Sequence, residues 1–313
     1  MKDNTNQHYV PQYYLKNFSV NKQINIYDLK TKRKFTNSIK NTAYKKFFYN
    51  VDVDFFNKIL GNEKFENEDF IDKIINTNNE SILAKFFDSF NPTRERIINK
   101  DERTTITAID FHSLVDFILV QNYRNPKLSM FFKNVDDIIK NKSDGTRKTK
   151  EFDKICRGIV ILLLFNELHY PRKTILKSDI LEEFKPIIDE IKLMKELITN
   201  SYKMVFWNKT SVDFITSDCA MAFMRSDEQD LFTTIFVPIN TKIAVLLVNR
   251  NSQLFDKNID KTSTIIHLEE EDVFQVETHN LTIAEKANRF VYSINQSFPS
   301  NINDIEFKPW WNI

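Results

Sequence analysis

Apolar residues recur along this chain with two different periods, and each period predicts a different kind of element. The opening stretch, His8-Tyr9-Val10-Pro11-Gln12-Tyr13-Tyr14-Leu15-Lys16-Asn17-Phe18, is dense in aromatics. A disordered tail is polar and aromatic-poor, so this segment is expected to pack, extended or as a short helix. Gln23 to Tyr27 alternates, with Ile24 and Ile26 on one face; polar Asp28 to Lys34 and then Phe35 follow, which predicts a hairpin. Phe47-Phe48-Tyr49 closes this N-terminal part. From Asp54 to Phe90 the period becomes helical: Phe70, Ile74, Thr77, Ser81 and Ala84 form a stripe, widened by Ile71, Ile75, Ile82 and Phe86. Asn91-Pro92 stops it. A second helix, from about Thr104 to Asn125, carries Phe111, Leu114, Phe117 and Ile118 and ends before Pro126. Phe152 to Leu168 is apolar nearly all round, the signature of a buried central helix. Ile180, Phe184, Ile187, Ile191, Met194 and Ile198 then predict one long amphipathic helix.

After Asn200 the period changes to two. Tyr202 to Trp207, Val212 to Thr216, Leu231 to Val237 and Lys242 to Val248 read as strands, with turn chemistry at Asn208-Lys209-Thr210 and Pro238-Ile239-Asn240. Short connections imply antiparallel neighbours, and Thr264 to Leu268 adds a further strand. Glu270 to Asn295 returns to a helical pattern faced by Val273, Val276, Ile283, Ala287 and Val291, and the tail with Phe307, Trp310 and Trp311 is expected to dock on the body. The expected class is α+β: a helical centre, an antiparallel sheet in the C-terminal third and a small N-terminal hairpin. A single domain is expected over 1–313, with segment and hairpin at 1–50, helices at 54–200, sheet at 202–268, and helix and tail at 270–313. The polar, basic stretch 141–150 is its clearest loop.

Composition narrows the function classes. Lys+Arg is 44 against 43 Asp+Glu, a balance that argues against a general nucleic-acid coat or polybasic membrane binder while leaving room for a local basic groove. The three glycines, Gly61, Gly145 and Gly158, stand far apart, which excludes Gly-rich phosphate loops. Two distant cysteines, Cys156 and Cys219, make neither a disulfide framework nor a cysteine zinc site. The longest apolar run, Ile159 to Phe165, is far short of the ~20 residues of a membrane span. With a polar start and no apolar leader, a cytoplasmic protein is expected.

Several polar residues occupy places where apolar ones cost less. Gln121 and Arg124 share a helix face, and Gln121 lies in line with Leu114. They either tie down the helix end or line a pocket where Arg presents its bidentate fork to an anion. Asn280 sits between Val276 and Ile283 on an inner helix face, as a core amide or a ligand contact. Ser217-Asp218 ends a strand, where a carboxylate starts a turn or serves a site. Glu80 interrupts an apolar helical region. His8 beside the aromatics is either a packed ring or a general base or metal ligand.

The opener, together with Leu119-Val120-Gln121-Asn122-Tyr123-Arg124-Asn125-Pro126, Phe214-Ile215-Thr216-Ser217-Asp218 and Asn280…Arg289-Phe290-Val291-Tyr292, resembles the bacterial domain of unknown function number 4238. The resemblance runs from His8 to about Tyr292. It implies a shared His-x-x-Pro-x-x-x-Leu-x-x-Phe opener, a Gln-x-x-Arg-x-Pro helix end and a Thr-Ser-Asp strand end. In that family the Asp is usually followed, one residue on, by Pro; here Cys219 and Ala220 follow Asp218, so the turn is expected to differ.

The leading expectation is an enzyme in which His8, Gln121, Arg124 and Asp218 converge as the catalytic set, with Glu80, Ser217 and Asn280 as ligand contacts. A His, an Arg and carboxylates suit hydrolysis of a phosphate ester, with a divalent cation as the cofactor they would hold. The concrete form is a nuclease-like effector of bacterial defence or toxin type, acting on nucleic acid. The alternatives are a binding module for a small anionic ligand and an interaction protein for a partner chain. The identity of any metal is left open.

Overall fold

The computed structural model describes residues 6–61, 65–78, 80–88, 111–125, 149–168, 176, 178–226, 231–253, 255–256 and 263–307. Of the loop expected at 141–150, residues 141–148 lie outside the described residues, as do the stop at Asn91-Pro92 and the tail tryptophans; Thr149 and Lys150 are helical rather than loop.

In chain order, β1 (Asn6–His8) precedes helix α1 (Gln12–Leu15), strands β2 (Gln23–Asp28) and β3 (Arg33–Ser38), and β4 (Tyr44–Lys46). Helices follow: α2 (Val53–Leu60), α3 (Phe70–Asn78), α4 (Glu80–Asp88), α5 (Phe111–Arg124), α6 (Thr149–Glu167), α7 (Ser178–Glu183) and α8 (Lys185–Asn200). Then come β5 (Tyr202–Asn208), β6 (Thr216–Ser217), β7 (Ala222–Met224), β8 (Thr234–Pro238), β9 (Ile243–Val248) and β10 (Ser263–Leu268). Helix α9 (Val273–Lys286) and β11 (Phe290–Ser293) complete the order. The fold is α+β, with the expected helical centre. No described helix is long and apolar enough to cross a membrane. The chain clusters into two compact units interleaved in sequence: Met1–Tyr9, Tyr44–Leu83 and Asp116–Glu196 form the first, and Val10–Ala43, Ala84–Val115 and Leu197–Ile313 the second.

In the first unit β1 pairs antiparallel with β4, His8 opposite Tyr44. Helix α2 starts where the Asp52 carboxylate accepts the Phe55 amide at 3.0 Å and stops at Gly61, whose φ of 56° places it in the left-handed region open to glycine. Phe56 stacks edge-on to Phe65 and Phe70. It also approaches α6 so closely that a Cβ on Gly158 would lie 3.0 Å from its ring. Residues 155–165 of α6 are buried, as the all-round apolar pattern predicts. The long amphipathic helix expected over 180–198 is two helices, α7 and α8, separated at Phe184. Pro186 accounts for the break: it lacks an amide hydrogen and its ring collides with the carbonyl four residues back.

The second unit holds two sheets. The hairpin β2–β3 is extended by β11 and β6 in the order β3-β2-β11-β6, all antiparallel. The larger sheet runs β10-β5-β9-β8-β7; its pairs are antiparallel except the outermost, where β10 lies parallel to β5. The expected turns are built by side chains: Asn208 Oδ1 accepts the Thr210 amide, and Asn240 Oδ1 accepts those of Lys242 and Ile243. Val276, Ile283 and Ala284 of α9 join Phe206, Phe214 and Phe236 in one core cluster. Two expectations need correction. The helical pattern read to Asn295 ends at Lys286, and Val291 belongs to a strand, because Ala287 turns extended and β11 pairs with β2 and β6. The strand expected from Val212 shrinks to Thr216–Ser217, because the Asn280 side chain takes the Asp213 carbonyl and Ile215 amide.

The opener is buried as expected: Val10, Tyr14, Leu15 and Phe18 are fully enclosed. Tyr14 pins it. Its hydroxyl shares one proton between the Ala220 and Pro238 carbonyls (2.9 and 2.8 Å) and meets the Thr216 hydroxyl at 2.8 Å. Burial pushes its pKa up, against the smaller opposing effect of the Thr216 bond.

His279 is half-buried, which the helical pattern did not predict. Its ring stacks on Phe236 (4.5 Å, 7°) and tilts against Phe206, and its Nε2 has no hydrogen-bond partner among the described residues. Desolvation pushes its pKa down to about 4. A base with a depressed folded-state pKa leaves stability unaffected above its unfolded value near 6.5 and costs stability as pH falls from there toward 4. Denaturant titrations between pH 7 and 4 are expected to lose less stability in His279→Leu than in the wild type; equal losses would refute the assignment.

Candidate functional site

In the first unit, three of the polar residues that stand out in the sequence, His8, Gln121 and Arg124, meet at one end of α5. Gln121, 1% exposed, donates Nε2 to the Tyr9 carbonyl at 2.8 Å, and its Oε1 accepts no bond from a described residue. Arg124, 3% exposed, donates Nη2 to the His8 carbonyl and Nε to the Tyr49 hydroxyl at 3.0 Å. His8 takes part through that carbonyl, while its half-buried ring tilts against Tyr44. Arg157, 6% exposed, points Nη1 at the carbonyls of Arg124 and Asn125, both at 3.4 Å, and its guanidinium lies 4.4 Å from the centre of the Phe48 ring. A cation at a helix C-terminus complements the carbonyl dipole. Burial raises the Tyr49 pKa, and the charges of Arg124 and Arg157 oppose that rise. Gln7 completes the brace: its Oε1 accepts the Tyr49 amide at 2.6 Å and its Nε2 donates to Asn50 Oδ1 at 2.7 Å.

The segment held this way forms one wall of an open cleft of about 640 Å³ in the same unit. Phe47, Asn50, Asp52 and Asp54 line that wall, with Glu66, Glu68 and Lys154 around it. Among the described residues the lining thus holds four acidic residues and one lysine. The Val51 amide bonds the Glu68 carbonyl at 3.1 Å, which joins the wall to the neighbouring loop.

In the second unit Asp218, 2% exposed, ends β6. Its Oδ1 accepts the Asn288 amide at 2.7 Å and its Oδ2 those of Arg289 and Phe290 at 3.0 and 3.1 Å. Ser217 Oγ accepts the Cys219 amide at 3.2 Å. The turn that follows puts Ala220 at φ 63°. Asn280 is satisfied at both ends by the backbone of Asp213 and Ile215. Glu80 opens α4, and its side chain lies outside the described residues.

The expected set therefore divides. His8, Gln121 and Arg124 come together in the first unit, and Asp218, Ser217 and Asn280 belong to the second. Apart from the bond between Arg124 and the Tyr49 hydroxyl, the bonds named for these six residues run to backbone groups. Among the described residues, no three His, Cys, Asp or Glu side chains are grouped to hold a metal ion. Gln7 and Arg157 escaped the sequence reading. Arg157 carried a usable signal, a lone guanidinium amid the apolar run of α6, where a charge needs partners; Gln7 carried none beyond its place beside His8. A family model described as "Protein of unknown function (DUF4238)" matches residues 6–297. No curated protein and no solved structure matches the chain.

If these groups are braces, removing them costs stability. Asp218→Ala leaves one buried and two half-buried amides without this acceptor and is expected to cost about 3–5 kcal/mol by denaturant unfolding. Arg157→Met loses a helix-end cation and a ring contact and is expected to cost about 2–3 kcal/mol. Unchanged stability in both variants would contradict this reading.

Proposed function

The chain belongs to the DUF4238 family, and we propose that it is a binding protein that takes a positively charged ligand in the cleft of its first unit. The observation that carries this reading is the cleft itself, about 640 Å³, whose lining among the described residues holds Asp52, Asp54, Glu66 and Glu68 with Lys154 as its cation. Carboxylates accept charge-assisted hydrogen bonds from ammonium or guanidinium groups. Phe47, exposed at the rim, offers a ring face to the same cations. The Gln7–Tyr49–Arg124 bonds fix the wall before a ligand arrives, which lowers the ordering cost of binding. The small anion expected from sequence finds a like-charged lining here.

Calorimetric titration with spermidine and with an arginine-rich peptide tests the reading, with pyrophosphate as the opposite charge. Heat and a raised Tm are expected with the cations alone. Glu66→Gln combined with Glu68→Gln is expected to weaken binding about tenfold. Binding of pyrophosphate instead, or of none of the three, would overturn it.

A second reading, phosphate-ester hydrolysis by a nuclease-like effector of defence or toxin type, is favoured by the half-buried His8 ring lying in the same unit as Arg124 and Arg157. On this reading the imidazole moves a proton while guanidinium groups offset the charge that develops on phosphate oxygens. Incubation with labelled oligonucleotides, with and without magnesium, is expected on this reading to yield cleavage that His8→Ala abolishes. Intact oligonucleotide, or cleavage that survives in His8→Ala, would dismiss it.

A further inference from the structure

Independently of the cleft, we infer that the outer edge of the β2–β3 hairpin in the second unit docks single-stranded nucleic acid. Between residues 16 and 40 the chain carries seven cations and one carboxylate, although its overall formal charge is only +1. That carboxylate, Asp28, is already neutralised: Arg289 holds it with two bonds, at 2.9 and 2.6 Å. Lys22, Lys30, Arg33, Lys34 and Lys40 are exposed, and none forms an ion pair with a described residue. The positive charge of the hairpin therefore faces water uncompensated.

Strand β3 is the edge of its sheet. The register puts Arg33, Phe35 and Asn37 on one face, opposite Asp28, Ile26 and Ile24, with about 7 Å between successive side chains. Lys34 and Thr36 point to the other face. Lysines on an edge strand also deter sheet-to-sheet pairing, but a strand serving only that purpose has no use for an aromatic. Phe35 is 43% exposed, flanked by a guanidinium and an amide. A ring among cations is the arrangement that single strands use, bases stacking on the ring and phosphates meeting the charges. Lys30 and Lys34 stand over the Phe307 and Phe298 rings at 6.0 and 5.5 Å, which holds their ammonium groups near the hairpin surface. A duplex hides its base faces and gains nothing from Phe35; an acidic protein or anionic membrane would use the charges without the row Arg33-Phe35-Asn37.

Fluorescence anisotropy with a labelled oligothymidylate of about 20 nucleotides tests the inference, with a duplex of equal length, polyglutamate and phosphatidylserine vesicles alongside. The full chain is expected to bind the single strand in preference to the others. Its logarithmic salt dependence should become shallower by about 0.7 for each hairpin cation removed. Phe35→Ala is expected to weaken the single strand about tenfold and leave polyglutamate unaffected. Lys30→Gln, Arg33→Gln and Lys34→Gln together keep the strand polar and should weaken binding at least tenfold. Equal binding of polyglutamate, insensitive to Phe35, would overturn the inference in favour of an acidic protein. Vesicle binding without oligonucleotide binding would overturn it in favour of a membrane, and no binding of any probe would overturn it outright.

Discussion

Asp218 holds three backbone amides that no sheet ladder serves. The carboxylate sits at the end of β6 with 2% exposure, and the chain from Asn288 to Phe290 closes on it. That closure ends α9 and aligns β11, which lies between β2 and β6 and so joins the N-terminal hairpin to the rest of its sheet. A buried carboxylate without donors costs far more than one with three; equally, the three amides, one buried and two half-buried, are costly to leave without an acceptor. Each side makes the other affordable. Tyr14 works nearby in the same way, its hydroxyl fastening the opener to the Ala220 turn and to β8.

The first unit solves the same problem with opposite charge. Arg124 and Arg157 lie buried and turn toward carbonyls and a phenol at the end of α5. Main-chain groups are present whatever the side chains, so they are the most available partners for a charge that must leave water. The consequence for function is indirect: Tyr49 and Asn50, fixed by Arg124 and Gln7, belong to the stretch that walls the cleft.

Periodicity made the elements legible wherever one face was buried: the hairpin around Ile24 and Ile26, the all-round apolar α6, and the alternating strands after Asn200. It failed where a side chain or a proline overrode the pattern. Val291 fits a helix stripe as well as a strand, and the carboxylate 73 positions earlier in the chain decides between them. Phe184 keeps the helical spacing, yet Pro186 breaks the helix there. The costly polar residues could be picked out one at a time, because an Arg or Asp beside apolar neighbours must find partners. Their partners could not, since backbone carbonyls and amides have no identity in a sequence. His8, Gln121 and Arg124 share a unit, but the carboxylates of the cleft were visible only as ordinary surface acids.

Amide hydrogen exchange of the native protein, resolved by residue, tests the central claim that buried charges here close the backbone. If the Asp218 carboxylate closes the segment, the amides of Asn288, Arg289 and Phe290 exchange only with global unfolding of their unit, as slowly as those of the central strands β5 and β9. Exchange of these three amides at the rate of a fraying loop, while β5 and β9 stay protected, would contradict it.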